Sequence, residues 1–281
     1  MNEKIGSISV FPERAGVLRL DDGNGSSFYL LEGKGAAVLI DTGMANEPLR
    51  PVIEQLTRKP VTLLITHAHP DHMRHADEFD TVYLHEQDIP LLPNMRNRMD
   101  VQQNTDNSRY QRFQDGDRLS IDDLTIYALG LSGHTAGSTL FYVPSGNLLF
   151  TGDAVGSGAG VWMHLMESLS IAQYLKSLQN ASAFLASLPQ PPTIFTGHYG
   201  QRYMKPGTDN PVCLALLKDM ETLCRMILDH KETRKDAPAA FLRGMRPAYV
   251  AEYGRASIVY SEETIAKQHK EGTPYGIDPS I

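Results

Sequence analysis

Short apolar runs separated by turn residues dominate the first half of the chain. Residues 17–40 hold three such runs, interrupted by Gly-Asn-Gly at 23–25 and Gly-Lys-Gly at 33–35. These turn sequences are typical of β-hairpins. Another run covers residues 61–65, and four more follow within residues 119–151. Runs of this length, bounded by glycine and asparagine, predict strands, so we expect a sheet-rich chain with tight turns.

Helical spacing of apolar residues predicts two helices in this part of the chain. One covers residues 47–58, and the other follows Ser170, which with Gln173 has the spacing of a capping box. The apolar positions of the second helix that we expect to be buried are Ile171, Leu175, Leu178, Leu185 and Leu188.

The pattern becomes mainly helical in the last quarter of the chain, and this change sets the expected domain organisation. One short extended segment, at 256–261, interrupts the helical spacing. We predict a domain over residues 1–210 and a mostly helical extension over residues 211–281 that packs on it.

Residues 94–114 form a polar stretch rich in asparagine, glutamine and arginine. Such a stretch predicts a surface insertion. The alternative is a lid over a functional site, because long insertions in compact domains often bind ligands. In that case arginines of the lid could contact an anionic substrate; these are Arg96, Arg98, Arg109 and Arg112.

A dense group of polar residues follows the apolar run that ends at residue 65. His67 and His69 are separated by one residue on an extended segment, so their side chains point to the same side. Pro70 then fixes φ and starts a new direction, which turns Asp71 and His72 toward a second position. Imidazole and carboxylate groups without a thiolate suit zinc, iron or manganese. Burying so many polar groups without a cation would be costly, so the sequence predicts a metal site.

The motif T-H-A-H-P-D-H at residues 66–72 resembles the HxHxDH signature of the metallo-β-lactamase superfamily, and the resemblance extends over about residues 15–200. It implies an α+β fold, a four-layer αββα sandwich, here with a helical C-terminal appendage. It also implies three further metal ligands at later strand ends. These are His134 in LSGHTAGS, Asp153 in LLFTGDAV and His198 in TIFTGHYG.

The resemblance implies two divalent metal ions and a hydroxide that bridges them. Zinc is the expected ion, with iron or manganese as alternatives. Asp71 would also steer the hydroxide in catalysis. Asp41, in the segment LIDTG, and Thr66 would lie beneath the ligands and orient them. The first ion would be held by His67, His69 and His134, the second by Asp71, His72 and His198, and Asp153 would bridge the two.

Three details relate the chain to branches of the superfamily. His69 stands where diiron redox members have glutamate, which favours hydrolysis. Asp153 is present where true β-lactamases lack a bridging aspartate, which favours the branch of glyoxalase-II-like thioesterases and lactonases. His75 replaces the glycine that usually ends the D-H-x-x-G continuation, so the helix after the motif is expected to pack differently.

Candidate substrate-pocket residues lie beside two of the ligands. The glycine-rich loop at 156–166 follows Asp153 and contains Trp162, Met163 and His164. It is either a packed corner or a wall of the pocket. Two tyrosines near His198 complete the candidate set, Tyr199 and Tyr203. The remaining histidines considered, which are His75, His85, His230 and His269, are expected to be surface residues.

Composition limits the partners of the protein. The 281 residues carry a net charge of −7, which argues against an anionic nucleic-acid or membrane surface. No apolar run is long enough to span a bilayer, and residues 1–16 lack the apolar core of a signal peptide, so we expect a cytoplasmic protein. Cys213 and Cys224, both in a predicted helix, would be about 16 Å apart. This exceeds disulfide reach, so two reduced thiols are expected.

These observations predict a dinuclear metal-dependent hydrolase that uses a metal-bridging hydroxide to cleave a small ester, thioester or lactone. One alternative is a phosphodiesterase or nuclease of the same fold, or a β-lactamase-type amide hydrolase. Another is a binding or regulatory protein with a vestigial site. The expected partner is a small-molecule substrate, with no nucleic acid or membrane and with a homodimer as an option.

Overall fold

The computed structural model describes residues 3–99, 104–156, 160–200, 214–238 and 247–266. Eight strands form the first sheet in sequence order. The first five pair antiparallel, and the last four, from the fifth onward, run parallel. These strands are β1 (Glu3–Ile5), β2 (Ile8–Pro12), β3 (Val17–Asp21), β4 (Ser27–Glu32), β5 (Ala37–Ile40), β6 (Val61–Leu64), β7 (Thr81–His85) and β8 (Tyr110–Phe113).

Five strands form the second sheet, in the order β14-β12-β11-β10-β9. All neighbours are antiparallel except β12 and β14, which are parallel. A turn at residues 144–147 joins β11 to β12, as the apolar pattern predicts. The strands are β9 (Arg118–Ile121), β10 (Leu124–Gly130), β11 (Thr139–Val143), β12 (Leu148–Phe150) and β14 (Thr193–Phe195).

The two sheets pack face to face through a shared apolar core. Tyr29 and Ile40 of the first sheet contact the same cluster as Phe141, Phe150 and Phe195 of the second. The alternate side chains of each strand point away from this core, to the outer face of each sheet, where helices cover them. The αββα sandwich predicted from the sequence is confirmed.

Helices and short 3-10 turns cover the outer faces and connect the strands. The capping box of Ser170 and Gln173 is present at the start of α4, as predicted. The helices are α1 (Arg50–Leu56), α2 (Pro70–Met73), α3 (Leu92–Asn97), α4 (Ile171–Ser187), α5 (Leu214–Leu228) and α6 (Glu262–Ala266). The 3-10 turns are Arg14–Gly16, Ala76–Glu78, Glu86–Leu91 and Asn107–Arg109. Among the described residues no helix is long and apolar enough to cross a membrane.

The C-terminal region contains the predicted long helix, α5, but it also forms a sheet. This third sheet has the order β13-β17-β16-β15, and its strands are β13 (Val161–Trp162), β15 (Arg234–Asp236), β16 (Tyr249–Tyr253) and β17 (Ala256–Tyr260). The predicted helix of the C-terminal appendage is thus present, and three strands accompany it among the described residues after residue 211. The boundary at residues 210 and 211 stays a prediction. Only 256–261 was predicted to be extended. The strands β13 and β15 are too short to show a clear period, and β16 does not alternate between apolar and polar residues. Cys224 is a buried free thiol in α5, whereas Cys213 lies outside the described residues.

The segment predicted as an insertion at 94–114 takes part in the fold. Its start belongs to α3, where Pro93 sits in the first turn, a position that tolerates a missing N–H. Its end forms β8, in which Tyr110 and Phe113 are buried in the first sheet. The polar composition masked this strand, because only its two end residues are apolar.

Candidate metal centre

The first histidines follow the carboxyl end of β6. His69 is extended, with φ −83° and ψ 152°, and Pro70 begins α2 directly after it. This backbone places His67 Nε2 3.0 Å from His69 Nδ1. Asp71 and His72 lie in the first turn of α2. The local geometry is therefore the one expected from the H-x-H-P-D-H spacing.

His134 completes a group with the first two histidines. It lies in the loop between β10 and β11, and its ring centroid is 4.9 Å from that of His67 and 4.5 Å from that of His69. All three side chains are buried, and their nitrogens lie within 4.8 Å of one another. Three imidazoles at this spacing could hold one cation.

A second group contains Asp71, His72, Asp153 and His198. Asp153 and His198 follow β12 and β14, which are parallel neighbours, so their carboxyl ends reach the same edge. His198 Nε2 lies 3.2 Å from Asp153 Oδ2 and 3.3 Å from Asp71 Oδ2. His72 Nε2 lies 3.5 Å from Asp153 Oδ1. Two carboxylates and two imidazoles thus converge at a second position.

Asp153 links the two groups. Its Oδ2 atom is 3.9 Å from Nε2 of His134, in the first group, and 3.2 Å from Nε2 of His198, in the second. Gly152, before it, has φ +48°, and a Cβ there would collide with the side chain of Thr66. Only glycine meets both conditions without strain, so the residue before Asp153 fixes how closely β12 approaches the histidine loop.

The polar atoms that face the centre fit a pair of divalent cations. Nε2 of His72, Nε2 of His134 and Oδ1 of Asp153 are buried without a hydrogen-bond partner among the described residues. Leaving such atoms unsatisfied costs about 1–3 kcal/mol each, and a bound cation would satisfy them. Carboxylate and imidazole donors are those that zinc and related ions prefer.

Outer acceptors hold several of these histidines in one tautomer. Asp41 Oδ2 accepts from His72 Nδ1 at 2.8 Å and from Thr66 Oγ1 at 2.8 Å, and Thr66 Oγ1 lies 3.1 Å from His67 Nδ1. These are the contacts expected of residues that orient ligands. Main-chain oxygens face Nδ1 of two other histidines of the centre. Trp162 O lies 2.7 Å from His134 Nδ1, and Gly25 O lies 2.9 Å from His198 Nδ1.

The two groups differ in the protonation of their histidines. Burial lowers the pKa of His67 far below its usual value, with His72 adding to the effect, and burial lowers the pKa of His134 to about 4. Both rings are therefore neutral near pH 7, as ligands must be.

The carboxylates and histidines of the second group shift each other's pKa in opposite directions. Burial alone would raise the pKa of Asp71 and of Asp153, but His72 and His198 outweigh it and lower both. Burial alone would lower the pKa of His72 and His198, but the carboxylates outweigh it and raise both. A cation that binds to this group displaces the protons of the two histidines.

Two buried carboxylates near the centre were missed by the sequence analysis. Glu167 Oε1 lies 2.9 Å from His69 Nε2. Asp88 accepts from Ala68 N at 2.9 Å, in the first histidine loop, and from Gly137 N at 2.7 Å, in the His134 loop. The sequence spacing of Glu167 and Asp88 does not indicate a role at the site, because each residue belongs to a segment separate from the metal-binding motif.

Replacing Asp88 by asparagine is expected to loosen both histidine loops. The amide would present donors to main-chain N–H groups that now donate to a carboxylate, and we expect a loss of about 1–3 kcal/mol in the free energy of unfolding. Weaker zinc binding should accompany it, measured by chelator competition. Asp123→Asn is the matched control, because Asp123 accepts from Lys34 N at 2.7 Å in the turn between β4 and β5, outside both histidine loops. Wild-type stability and zinc affinity in Asp88→Asn would contradict this assignment.

The predicted pocket residues have different environments. Met163 directly follows β13 and is fully buried in the core beneath the second sheet, so it lines no open surface. Trp162 is half-buried against a small apolar cluster, and its ring lies 5.5 Å from that of His164, which is buried. Tyr199 stacks on the Arg19 guanidinium, 4.2 Å from the ring centroid. Tyr203 lies outside the described residues.

The candidate arginines have partners within the protein, with one exposed exception. Arg96 is buried and donates to Asn107 at 2.7 Å, and Arg109 pairs with Asp77. Arg98 Nη1 donates to Glu167 at 2.8 Å, which connects the predicted lid segment to the metal centre. Arg112 is exposed on β8.

Two histidines expected at the surface are buried instead. His75 Nδ1 lies 2.6 Å from Glu78 Oε1 and its Nε2 lies 3.1 Å from Ala45 O, so both ring nitrogens are satisfied inside the fold. His85 packs edge-on against Phe113 at 5.3 Å. His230 is exposed, as expected, and His269 lies outside the described residues.

Comparison with known proteins agrees with this geometry. Residues 21–198 match the family model described as Metallo-beta-lactamase superfamily. The human acyl-coenzyme A thioesterase MBLAC2 is 26% identical over 50% of this chain and 61% of its own length. The hydroxyacylglutathione hydrolase of Bartonella quintana is 30% identical over 49% of this chain and 48% of its own length. The chain thus spans about half to three fifths of these relatives.

A solved structure shows the same fold. The metallo-beta-lactamase from Erythrobacter litoralis, crystallised with beta mercaptoethanol in its active site, superposes with a TM-score of 0.57. The match covers 80% of this chain and 99% of that one, at 18% sequence identity.

Proposed function

The chain belongs to the metallo-beta-lactamase superfamily, and on this premise we propose that it is a dinuclear metal hydrolase acting on a small ester, thioester or lactone. Thioesters are the preferred class. Two relatives support this preference, one named as an acyl-coenzyme A thioesterase and the other as a hydroxyacylglutathione hydrolase. The resemblance that the HxHxDH motif suggested is confirmed at the level of the family.

The position of Asp153 carries the proposal of two cations. A single metal site needs one group of ligands, whereas this carboxylate lies between two groups, within 3.9 Å of His134 and 3.2 Å of His198. His67, His69 and His134 would hold one cation, and Asp71, His72 and His198 the other. Asp153 would contact both.

The residues around the cations account for the reaction class. Bound divalent cations lower the pKa of water and polarise the oxygen of a carbonyl group. The imidazoles and carboxylates of this chain hold those charges in place. Asp71 Oδ2 accepts from Ser26 Oγ at 3.3 Å, which steadies the carboxylate that we assign to orient the attacking water.

Thioester cleavage is the hydrolysis that makes the least demand on a proton donor at this centre. A thiolate leaves more readily than an alkoxide or an amine because its conjugate acid is stronger. Bond cleavage therefore places less demand on a proton donor, which suits a centre whose two carboxylates, Asp71 and Asp153, have lowered pKa values and are ionised. Amide substrates would require protonation of a poorer leaving group.

A substrate panel tests the proposal. Zinc-loaded protein is assayed with acyl-coenzyme A, hydroxyacylglutathione, a lactone, a phosphodiester and a cephalosporin. We expect the highest kcat/KM for one of the thioesters and a loss of that activity when the same preparation is stripped of metal. A higher kcat/KM for the phosphodiester or the cephalosporin would overturn the assignment of substrate class.

A further inference from the structure

Glu167 is a buried carboxylate placed directly behind one metal-facing histidine. Its side chain is 3% exposed, and its Oε1 atom accepts from His69 Nε2 at 2.9 Å. Arg98 donates to the same oxygen at 2.8 Å through Nη1 and to Oε2 at 3.4 Å through Nη2. A buried carboxylate is stable only when its charge is compensated, and Arg98 supplies that compensation.

The orientation of His69 differs from that of its neighbours. His69 directs Nδ1 toward His67 Nε2, at 3.0 Å, so its Nε2 points away from the centre and toward Glu167. His67 and His134 have their Nδ1 atoms against neutral oxygens, those of Thr66 and Trp162. Within the first group, only His69 therefore has a charged acceptor behind it.

The second group has a counterpart to this arrangement. His72 Nδ1 lies 2.8 Å from Asp41 Oδ2, and that carboxylate is held by the Thr66 side chain and main chain. Each group thus contains one histidine backed by a carboxylate. The difference lies in the support, which is a neutral threonine for Asp41 and a guanidinium for Glu167.

We propose that Glu167, held by Arg98, is a positioning residue that fixes the Nδ1-facing tautomer of His69 and strengthens its binding to a cation. The inference rests on the metal-binding part of the proposed function. A carboxylate behind a ligating imidazole fixes the ring and raises its basicity. Arg98 follows α3 at its C-terminal end, so the segment predicted as a lid supports the metal centre from behind.

Metal titration of four variants tests this role. Glu167→Gln keeps an acceptor but removes the charge, Glu167→Ala removes both, and Arg98→Ala removes the support. Glu78→Gln is the matched control, because Glu78 forms the same kind of bond with His75, at 2.6 Å, and His75 belongs to neither ligand group. Zinc affinity is measured by chelator competition, and the visible spectrum is recorded with cobalt in place of zinc.

We expect Glu167→Gln and Glu167→Ala to lose about 10- to 100-fold in zinc affinity at one of two positions. The cobalt spectrum should change in both, since the ligand field of one ion changes. Arg98→Ala should shift both readouts in the same direction by less, and Glu78→Gln should match the wild type. A purely structural contact would move the unfolding temperature and leave the cobalt spectrum unchanged.

Two results would overturn the inference in distinguishable ways. If the wild type binds two cations and the Glu167 variants bind them with the same affinity and spectrum, Glu167 has no positioning role although the proposed function stands. If the wild type binds no divalent cation, both fail. Should Glu167→Ala not fold, Glu167→Gln and Arg98→Ala decide, because the Arg98 side chain is 44% exposed and its removal leaves the core intact.

Discussion

Replacing Asp153 by alanine is expected to abolish hydrolysis and to remove most of the bound metal. Its carboxylate lies 3.2 Å from His198, 3.5 Å from His72 and 3.9 Å from His134, so both ligand groups lose a negative charge at once. Losing one strong electrostatic contribution at an active site lowers turnover about 10²- to 10³-fold. For this variant we expect a loss in turnover of about 10³-fold or more. Turnover of the preferred substrate and the metal content of the purified variant are the measurements.

Asp80→Ala is the control for that experiment. Its side chain is 82% exposed and pairs with Arg50 at 2.7 Å, outside both ligand groups. We expect wild-type turnover and metal content in this variant. An Asp153→Ala protein that keeps its two cations and its turnover would show that the carboxylate is no ligand.

Removing the metal should eliminate activity and lower stability together. Without a cation, the buried atoms facing the centre, such as Nε2 of His134 and Oδ1 of Asp153, stay unsatisfied. A cation that binds only the folded state adds about 2.7 kcal/mol at a free concentration of 100 Kd. The unfolding temperature of chelator-treated protein should therefore rise when zinc is restored, and turnover should return with it.

The same titration on Asp153→Ala provides the comparison. We expect a smaller rise in unfolding temperature than in the wild type, because one carboxylate no longer contributes to binding. If zinc left the unfolding temperature of wild-type protein unchanged while turnover persisted after chelation, catalysis would not depend on a metal, and the proposed function would be wrong.

The local part of the site could be predicted from its sequence because its geometry is local. The extended backbone before Pro70 and the helical turn after it decide where His67, His69, Asp71 and His72 point. The candidate ligands from distant strand ends were predicted only through the resemblance to a family. The sequence around His134 does not indicate that its loop lies beside the carboxyl end of β6 in the fold.

Glu167 and Asp88 could not be predicted for the same reason. Each acts through contacts between segments far apart in sequence, and glutamate or aspartate in a polar stretch ordinarily indicates a solvated surface. The glycine at 137 was no signal by itself, although a Cβ there would lie 2.7 Å from Asp88 Cγ. Close approach of this kind is visible only once the chain is folded.

The C-terminal region shows a different limit of sequence analysis. The helix α5 has a clear apolar stripe and was predicted, whereas β15 has exposed side chains along its whole length. Strand pairing there depends on main-chain hydrogen bonds with β16, which leave no mark on the pattern of apolar residues.

The pairing of β13 with β17 connects the C-terminal strands to the candidate metal centre. Trp162 lies opposite Val259 in that pair, Met163 N donates to Val259 O at 2.7 Å, and the Trp162 carbonyl meets His134 Nδ1. A truncation upstream of β17 would leave Trp162 without its strand neighbour and so disturb a histidine more than a hundred positions earlier. The boundary predicted near residue 210 is therefore a poor place to shorten the protein, because β17, after it, pairs with β13, before it.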